Sequence, residues 1–425
     1  MKKIINILLF LVLSLSVVAQ TELQKKIEEL PGVVSVKEMK VKNFSEYYEI
    51  YFKQQIDYKD AAKGTFNQRV LLGHTGYNNP MIVEIQGYNI WTSRQGELSK
   101  LFNGNQLTIE HRFFKDSKPK SGIPWKSLTV RNAAEDQHII IQAIKKIYDE
   151  NKWISTGISK GGQTTIIHRY FYPNDVDVAV PYVAPHNLTR EDPRIHEFLN
   201  TVGTKECRAK ILAFQKLCFE NIEKMIPLME AYSEAKKYTF NDVGGKRRAL
   251  EMTILEYSFA YWQWGSAREK DIPTKETNLN DMFKHLVRYG DPGFFEDKSI
   301  EFQRPYFWAA MTEMGIYDYD ITPFRKYLKD KKNVTFKHTM PKGLENTPFD
   351  GTTMKKIYDW LQTDASKMLF IYGALDTWGS TGVELGNNTK SVKYSMPTGH
   401  HGTRIRNFDE DTRKEIIGKI KDWIK

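Results

Sequence analysis

Cysteine is nearly absent: Cys207 and Cys218 are the only two in 425 residues, so no multi-bridge scaffold can substitute for a hydrophobic core. If residues 204–229 form one continuous helix, eleven residues at 1.5 Å each put the pair about 16 Å apart along its axis, beyond disulfide reach. A single bridge and two buried free thiols both stay open. No apolar run after residue 19 approaches the roughly 20 residues that span a bilayer, which excludes an internal membrane anchor. No close set of His, Cys and carboxylates has metal-ligand spacing, and no Walker-type glycine loop is present, so neither a metal nor a nucleotide cofactor is expected. Internal repeats are lacking too. The 62 Lys and Arg outnumber 52 Asp and Glu, for a net charge of +10, yet no dense basic block occurs. That distribution describes a solvated basic surface rather than a nucleic-acid site.

What is present is the composition of a globular protein, 40% hydrophobic, 13% aromatic and 27% charged. The length allows two or three domains, or one enlarged domain with an insertion. Met1-Lys2-Lys3, the apolar residues 4–18 and then Ala19-Gln20 read as a signal peptide cut near Ala19/Gln20, with no cysteine there to accept a lipid. The chain is therefore expected to be secreted or periplasmic, without a membrane anchor after cleavage.

Residues 153–162, Trp-Ile-Ser-Thr-Gly-Ile-Ser-Lys-Gly-Gly, run from an apolar strand through Gly-x-Ser-x-Gly into a helix-like stretch at 163–170. This is the pattern of a nucleophile elbow, where the chain reverses so sharply that residues two before and two after the serine carry no bulk. Ser159 would project into a cleft, with the amide of Lys160 as one oxyanion donor.

Strand patterns at residues 47–53, 69–74, 81–86 and 106–113 precede the elbow, with a short helix at 93–102 and a long one at 128–150. Another strand follows at 176–183. This succession requires a mostly parallel, doubly wound α/β sheet, because parallel strands need crossover helices. From about residue 188 to 358 the character changes to long amphipathic stretches, such as 208–237 and 246–264, rich in aromatics. Strand signals return at 368–372 and 391–395, and a helix at 409–424 closes the chain. The expected organisation is a signal peptide at 1–19, an α/β-hydrolase core at 20–187 and 359–425, and a helical cap at 188–358 inserted between the sixth and seventh core strands.

Asp376 follows the strand at 368–372 and sits where a triad acid belongs. Two histidines, His400 and His401, lie in a glycine-flanked loop beyond the next strand, and one of them is the general base. The chain order Ser, Asp, His is that of α/β-hydrolases and not of chymotrypsin-like or subtilisin-like enzymes. The second oxyanion donor is expected from the loop after the third core strand, at Gly87-Tyr88, with the Tyr88 amide as the candidate. Glu110-His111-Arg112 place charge near the same sheet edge, as a site group or as a structural ion pair.

EHRFF at residues 110–114, AAEDQHIIIQAIKKIY at 133–148, STGISKGGQT at 155–164, YSFAYWQWG at 257–265 and FIYGALDTW at 370–378 together resemble the secreted tripeptidyl aminopeptidase family of bacterial serine peptidases. The resemblance spans about residues 66–424. It implies an α/β-hydrolase with a helical cap, Ser159 as nucleophile and Asp376 as acid. The family's histidine, three residues before an arginine, corresponds to His401 before Arg404, with His400 as the alternative. The implied activity is release of tripeptides from free N-termini, often after proline. Recognition of a substrate ammonium needs a carboxylate at a fixed distance from the nucleophile, in a site that excludes bulk water. Glu256 and Glu313, set among aromatics in the expected cap, are the candidates. Trp262, Trp264, Trp308 and Tyr317 either line a pocket for the residue before the scissile bond or pack the core. A carboxylesterase or lipase on the same scaffold is the alternative, and a non-catalytic peptide- or glycan-binding relic is a third reading.

Overall fold

In this computed structural model, which describes residues 20–425 apart from 332, 333 and 388, nine runs of strand-forming residues join one sheet. They are β1 (Val33–Met39), β2 (Glu46–Gln55), β3 (Thr65–His74), β4 (Met81–Ile85), β5 (Asn105–Ile109), β6 (Trp153–Ile158), β7 (Val178–Tyr182), β8 (Ser366–Gly373) and β9 (Lys390–Met396). The expected signal peptide lies outside the described residues. Spatial order is β1-β2-β3-β5-β4-β6-β7-β8-β9. β1, β2, β3 and β5 pair antiparallel, and every pair from β5/β4 to β8/β9 is parallel. With the edge strand β1 set aside, this is the eight-stranded order of an α/β-hydrolase, in which the fourth strand lies between the second and the third.

Side chains alternate across the sheet as a period of two demands. Ile82 faces a cluster with Leu98, Ile154, Ile371, Ile416 and Ile420, and its neighbour Val83 faces Leu107, Ile140, Ile141 and Ile144. The helices Glu97–Phe102 and Glu410–Trp423 thus cover one face. Val130–Lys145 and Lys160–Phe171 cover the other, where Ile166 and Ile167 meet Ala179 and Phe370.

Between β7 and β8 the described residues form no strand. The helices Arg194–Thr201, Lys205–Glu220, Ile222–Lys236, Lys246–Trp264, Leu279–Tyr289 and Asp297–Ala309 pack round a cluster that includes Phe214, Leu250, Tyr257, Phe307 and Phe336 and extends to Phe66, Phe113 and Trp378 outside this segment. The stretch expected to be helical through 208–237 is broken at Asn221, whose φ of −107° and ψ of 14° depart from helical values. Both cysteines fall on the first of these two helices, buried and unbridged. The boundary expected at residue 358 needs correcting, because it falls inside the helix Thr352–Thr363. Met354, Ile357 and Leu361 of that helix pack with Ile166 and Phe370, so the chain has returned to the sheet before it ends.

Candidate active site

β6 ends at Ile158 and the next helix starts at Lys160, leaving Ser159 alone to reverse the chain, with φ 58° and ψ −124°. Such a backbone costs a serine about 1–3 kcal/mol and persists only where the surroundings enforce it. Here they do. A Cβ on Gly157 would lie 2.2 Å from the Gly161 carbonyl oxygen, and one on Gly161 would lie 2.7 Å from the Ile85 carbonyl oxygen. The Ser159 amide donates to the Tyr182 carbonyl at 2.9 Å, tying the elbow to β7.

Two strand ends bring in Asp376 and the adjacent histidines. Beyond β8, Gly373 abuts the 399–400 backbone so closely that a Cβ would sit 2.3 Å from the Gly399 carbonyl carbon. Leu375 then donates to the Gly399 carbonyl at 2.9 Å. Asp376, fully buried, accepts from His401 Nδ1 at 2.7 Å through Oδ2 and from the Trp378 amide at 3.1 Å through Oδ1. The structure separates the adjacent histidines: His401 is buried against Asp376, while His400 Nδ1 accepts from the Gly402 amide at 3.1 Å. The His401 amide donates to the carbonyl of Gln263 at 2.8 Å, on the helix Lys246–Trp264 between β7 and β8.

Ser159, His401, Gly87, Tyr88 and Lys160 line one cavity of about 700 Å³, together with Glu256, Arg288, Asp291 and Trp264 from the helical segment. The Lys160 amide lies in the first turn of its helix, where N–H groups have no intrahelical acceptor. Its side chain is a feature that the sequence reading missed. Nζ is buried, donates to the Gly87 carbonyl at 2.5 Å and lies over the rings of Tyr88 and Phe114. Burial lowers this ammonium to about 7. The lysine so ties the elbow to the loop after β4, where a Cβ on Gly87 would meet the Gly161 nitrogen at 2.6 Å.

The two carboxylates read together from sequence part company. Glu256 is buried at the cavity, and Tyr317 and Tyr319 donate to its Oε2 at 2.8 and 2.7 Å. Burial outweighs these two bonds and pushes the carboxyl up to about 8. Glu313 does not reach the cavity: its Oε2 accepts from the Val130 amide at 2.8 Å, at the start of the helix Val130–Lys145. That bond makes it a helix cap and corrects its expected place beside Glu256. Asp291, a cavity carboxylate from an exposed turn, carried no sequence signal. Of the four aromatics considered, Trp264 and Tyr317 line the cavity, Trp262 lines a separate cavity of about 450 Å³, and Trp308 packs on Trp125.

Glu110, His111 and Arg112 resolve as structure. Arg112, fully buried, donates to Asp136 at 2.6 and 2.7 Å and to the carbonyls of Ile56, Ser127 and Gln55. Glu110 accepts from the Ile90 amide and the Ser117 hydroxyl. Among the described residues no group of three or more His, Cys, Asp or Glu is placed to hold a metal ion. None of their helices is long and apolar enough to cross a membrane.

The sequence profile of the family described as PS-10 peptidase S37 matches residues 18–425. The chain is 28% identical over 410 residues to a prolyl tri/tetrapeptidyl aminopeptidase of Streptomyces mobaraensis, covering 95% of this chain and 85% of that protein. Among solved structures, proline iminopeptidase from Mycobacterium smegmatis is 11% identical with a TM-score of 0.42, covering 88% of this chain and 98% of that one. A thermostable carboxyl esterase from Bacillus coagulans is 13% identical with a TM-score of 0.38, covering 89% and 99%.

Proposed function

We propose that this chain, which belongs to the PS-10 peptidase S37 family of serine peptidases, releases tripeptides from free N-termini through an acyl-enzyme on Ser159. The observation that carries the reading is the shared cavity: Ser159, His401 with its bond to Asp376, and the buried carboxylate of Glu256 all line it or stand directly behind it. His401 Nε2 takes the proton of Ser159 as Oγ attacks the scissile carbonyl. Asp376 holds Nδ1–H, which fixes the tautomer and stabilises the imidazolium. The amides of Lys160 and Tyr88 receive the oxyanion, and Lys160 Nζ holds the second of these loops in place through Gly87. The imidazolium then gives its proton to the leaving amine, and water, activated by the same histidine, hydrolyses the ester.

The length of the released piece is set by what binds the substrate ammonium. Glu256 is the anchor: its Oε2 is occupied by two tyrosine hydroxyls, and Oε1 takes neither of those bonds. Asp291 adds negative charge on the same cavity. The Streptomyces mobaraensis relative bears the name of a tri/tetrapeptidyl aminopeptidase, which supports a three-residue reach. A simple ester substrate would bring no ammonium to Glu256, which weighs against the esterase reading. Residues 188–351 act as the cap that restricts access to chain ends, and residues 1–19 direct export.

A fluorophosphonate probe tests the nucleophile. The expected result is a single adduct on the peptide carrying Ser159, absent in Ser159→Ala and strongly slowed in His401→Ala. An unmodified Ser159 in folded wild-type protein would overturn the assignment.

A further inference from the structure

Few large apolar side chains are exposed among the described residues: Val34, Tyr77, Trp91, Leu101 and Trp264. Two of the five are tryptophans on the wall of the Ser159 cavity. Trp264 is 52% exposed although the backbone around it is held on both sides. Before it, the Gln263 carbonyl accepts from the His401 amide at 2.8 Å. After it, Gly265 closes the helix in the left-handed region, φ 59°, so near the His400 ring that a Cβ would lie 2.6 Å from Cδ2. The indole meets the His401 ring edge-on, with centroids 5.6 Å apart and planes at 85°. A rigidly mounted, half-exposed indole is a binding surface whose ordering cost is already met by the fold.

Its position says which part of a substrate it serves. In the acyl-transfer reading above, on which this inference rests, the leaving nitrogen takes its proton from His401 and so stands within hydrogen-bond reach of that ring. The side chain on the leaving residue therefore passes beside Trp264. The acyl portion faces Lys160, Gly87 and Tyr88 instead. Trp91, 69% exposed, rests on Phe302 with centroids 5.0 Å apart and makes no ring contact with His401. We propose that Trp264 is the binding platform for the first residue beyond the scissile bond, selecting peptides with an aromatic or large apolar side chain there.

Acyl transfer to an added amine tests this without depending on the rate of acylation. A tripeptide methyl ester acylates Ser159 and releases methanol. The ester is then broken either by water, giving the free tripeptide, or by the amine of an amino-acid amide, giving a tetrapeptide amide. In both cases the proton of the nucleophile passes through His401 to Ser159 Oγ. The ratio of the two products at fixed acceptor concentration is counted only over molecules that turn over, so misfolded protein does not enter it. In the wild type, phenylalaninamide is expected to give a ratio at least tenfold above glycinamide. Trp264→Ala should reduce that preference to within about threefold, and Trp264→Phe should retain most of it. A Trp264 that merely steadied His401 would change both ratios equally. The inference is overturned if Trp264→Ala keeps the wild-type preference or if the wild type has none. If the wild type fails to hydrolyse the ester at all, the acyl-enzyme reading falls and this one with it.

Discussion

Replacing Glu256 by Gln separates the function of this carboxylate from its cost to the fold. Gln keeps the volume and an acceptor oxygen for Tyr317 and Tyr319 while removing the charge. A charge-assisted contact to a substrate ammonium in a buried site is worth about 2–4 kcal/mol. Its loss should lower kcat/KM on peptides with free N-termini by about 30- to 900-fold. The pH dependence follows from the carboxyl, which burial raises to about 8 in the folded protein from 4.5. The pairing needs ionised Glu256 and a protonated substrate amine, whose ordinary value is about 7.7–8.0. Wild-type kcat/KM should therefore trace a narrow bell near pH 8, and Glu256→Gln should lose the acid limb at that place. Stability moves the other way. The folded state holds the proton up to about pH 8, whereas the unfolded chain releases it near 4.5. The native protein thus binds more protons through that window, and its stability falls as pH rises across it. The shift amounts to a loss on the order of 4–5 kcal/mol by pH 9. Glu256→Gln should match the wild type within about 1 kcal/mol at pH 5 and exceed it at pH 9, as read from urea midpoints. Unchanged kcat/KM on free N-termini, or no gain in stability at pH 9, would refute the reasoning.

Asp376→Asn should leave the fold intact and reduce kcat about 10⁴-fold, because the amide favours the wrong imidazole tautomer; steady-state kinetics beside circular dichroism checks both halves. His401→Ala should lose at least about 10³-fold in kcat while His400→Ala stays within about threefold, and equal losses would reopen the choice of base. Glu313→Ala should destabilise the protein by about 1 kcal/mol through the Val130 amide it caps, with KM for free N-termini unchanged; a raised KM would return Glu313 to the site.

The parts of this protein legible in its sequence are those where backbone geometry dictates residue type. The elbow shows because Gly157 and Gly161 tolerate no Cβ, and the sheet shows because β4 to β8 are short runs mostly buried on both faces, with β4, β7 and β8 mainly apolar. β1 was not visible: it is an edge strand of largely exposed residues, VVSVKEM, without a buried alternate row. The break at Asn221 was hidden because apolar residues continue on both sides, Cys218 and Phe219 before it and Ile222 and Met225 after it. Glu256 and Glu313 looked alike as carboxylates among aromatics. What separates them is long-range: two tyrosines 61 and 63 residues away in one case, and an amide 183 residues away in the other. No local pattern encodes such pairings. The same holds for Lys160, read for its amide alone, whose side chain reaches the loop after β4 across 73 residues.

The most direct test of the central claim is digestion of a peptide library, each member free and N-acetylated, by wild type and Ser159→Ala, with products read by mass spectrometry. Loss of three residues from free N-termini alone, absent in the variant, is the predicted result. Cleavage of acetylated peptides at equal rates, or hydrolysis of small esters with no peptide cut, would contradict it.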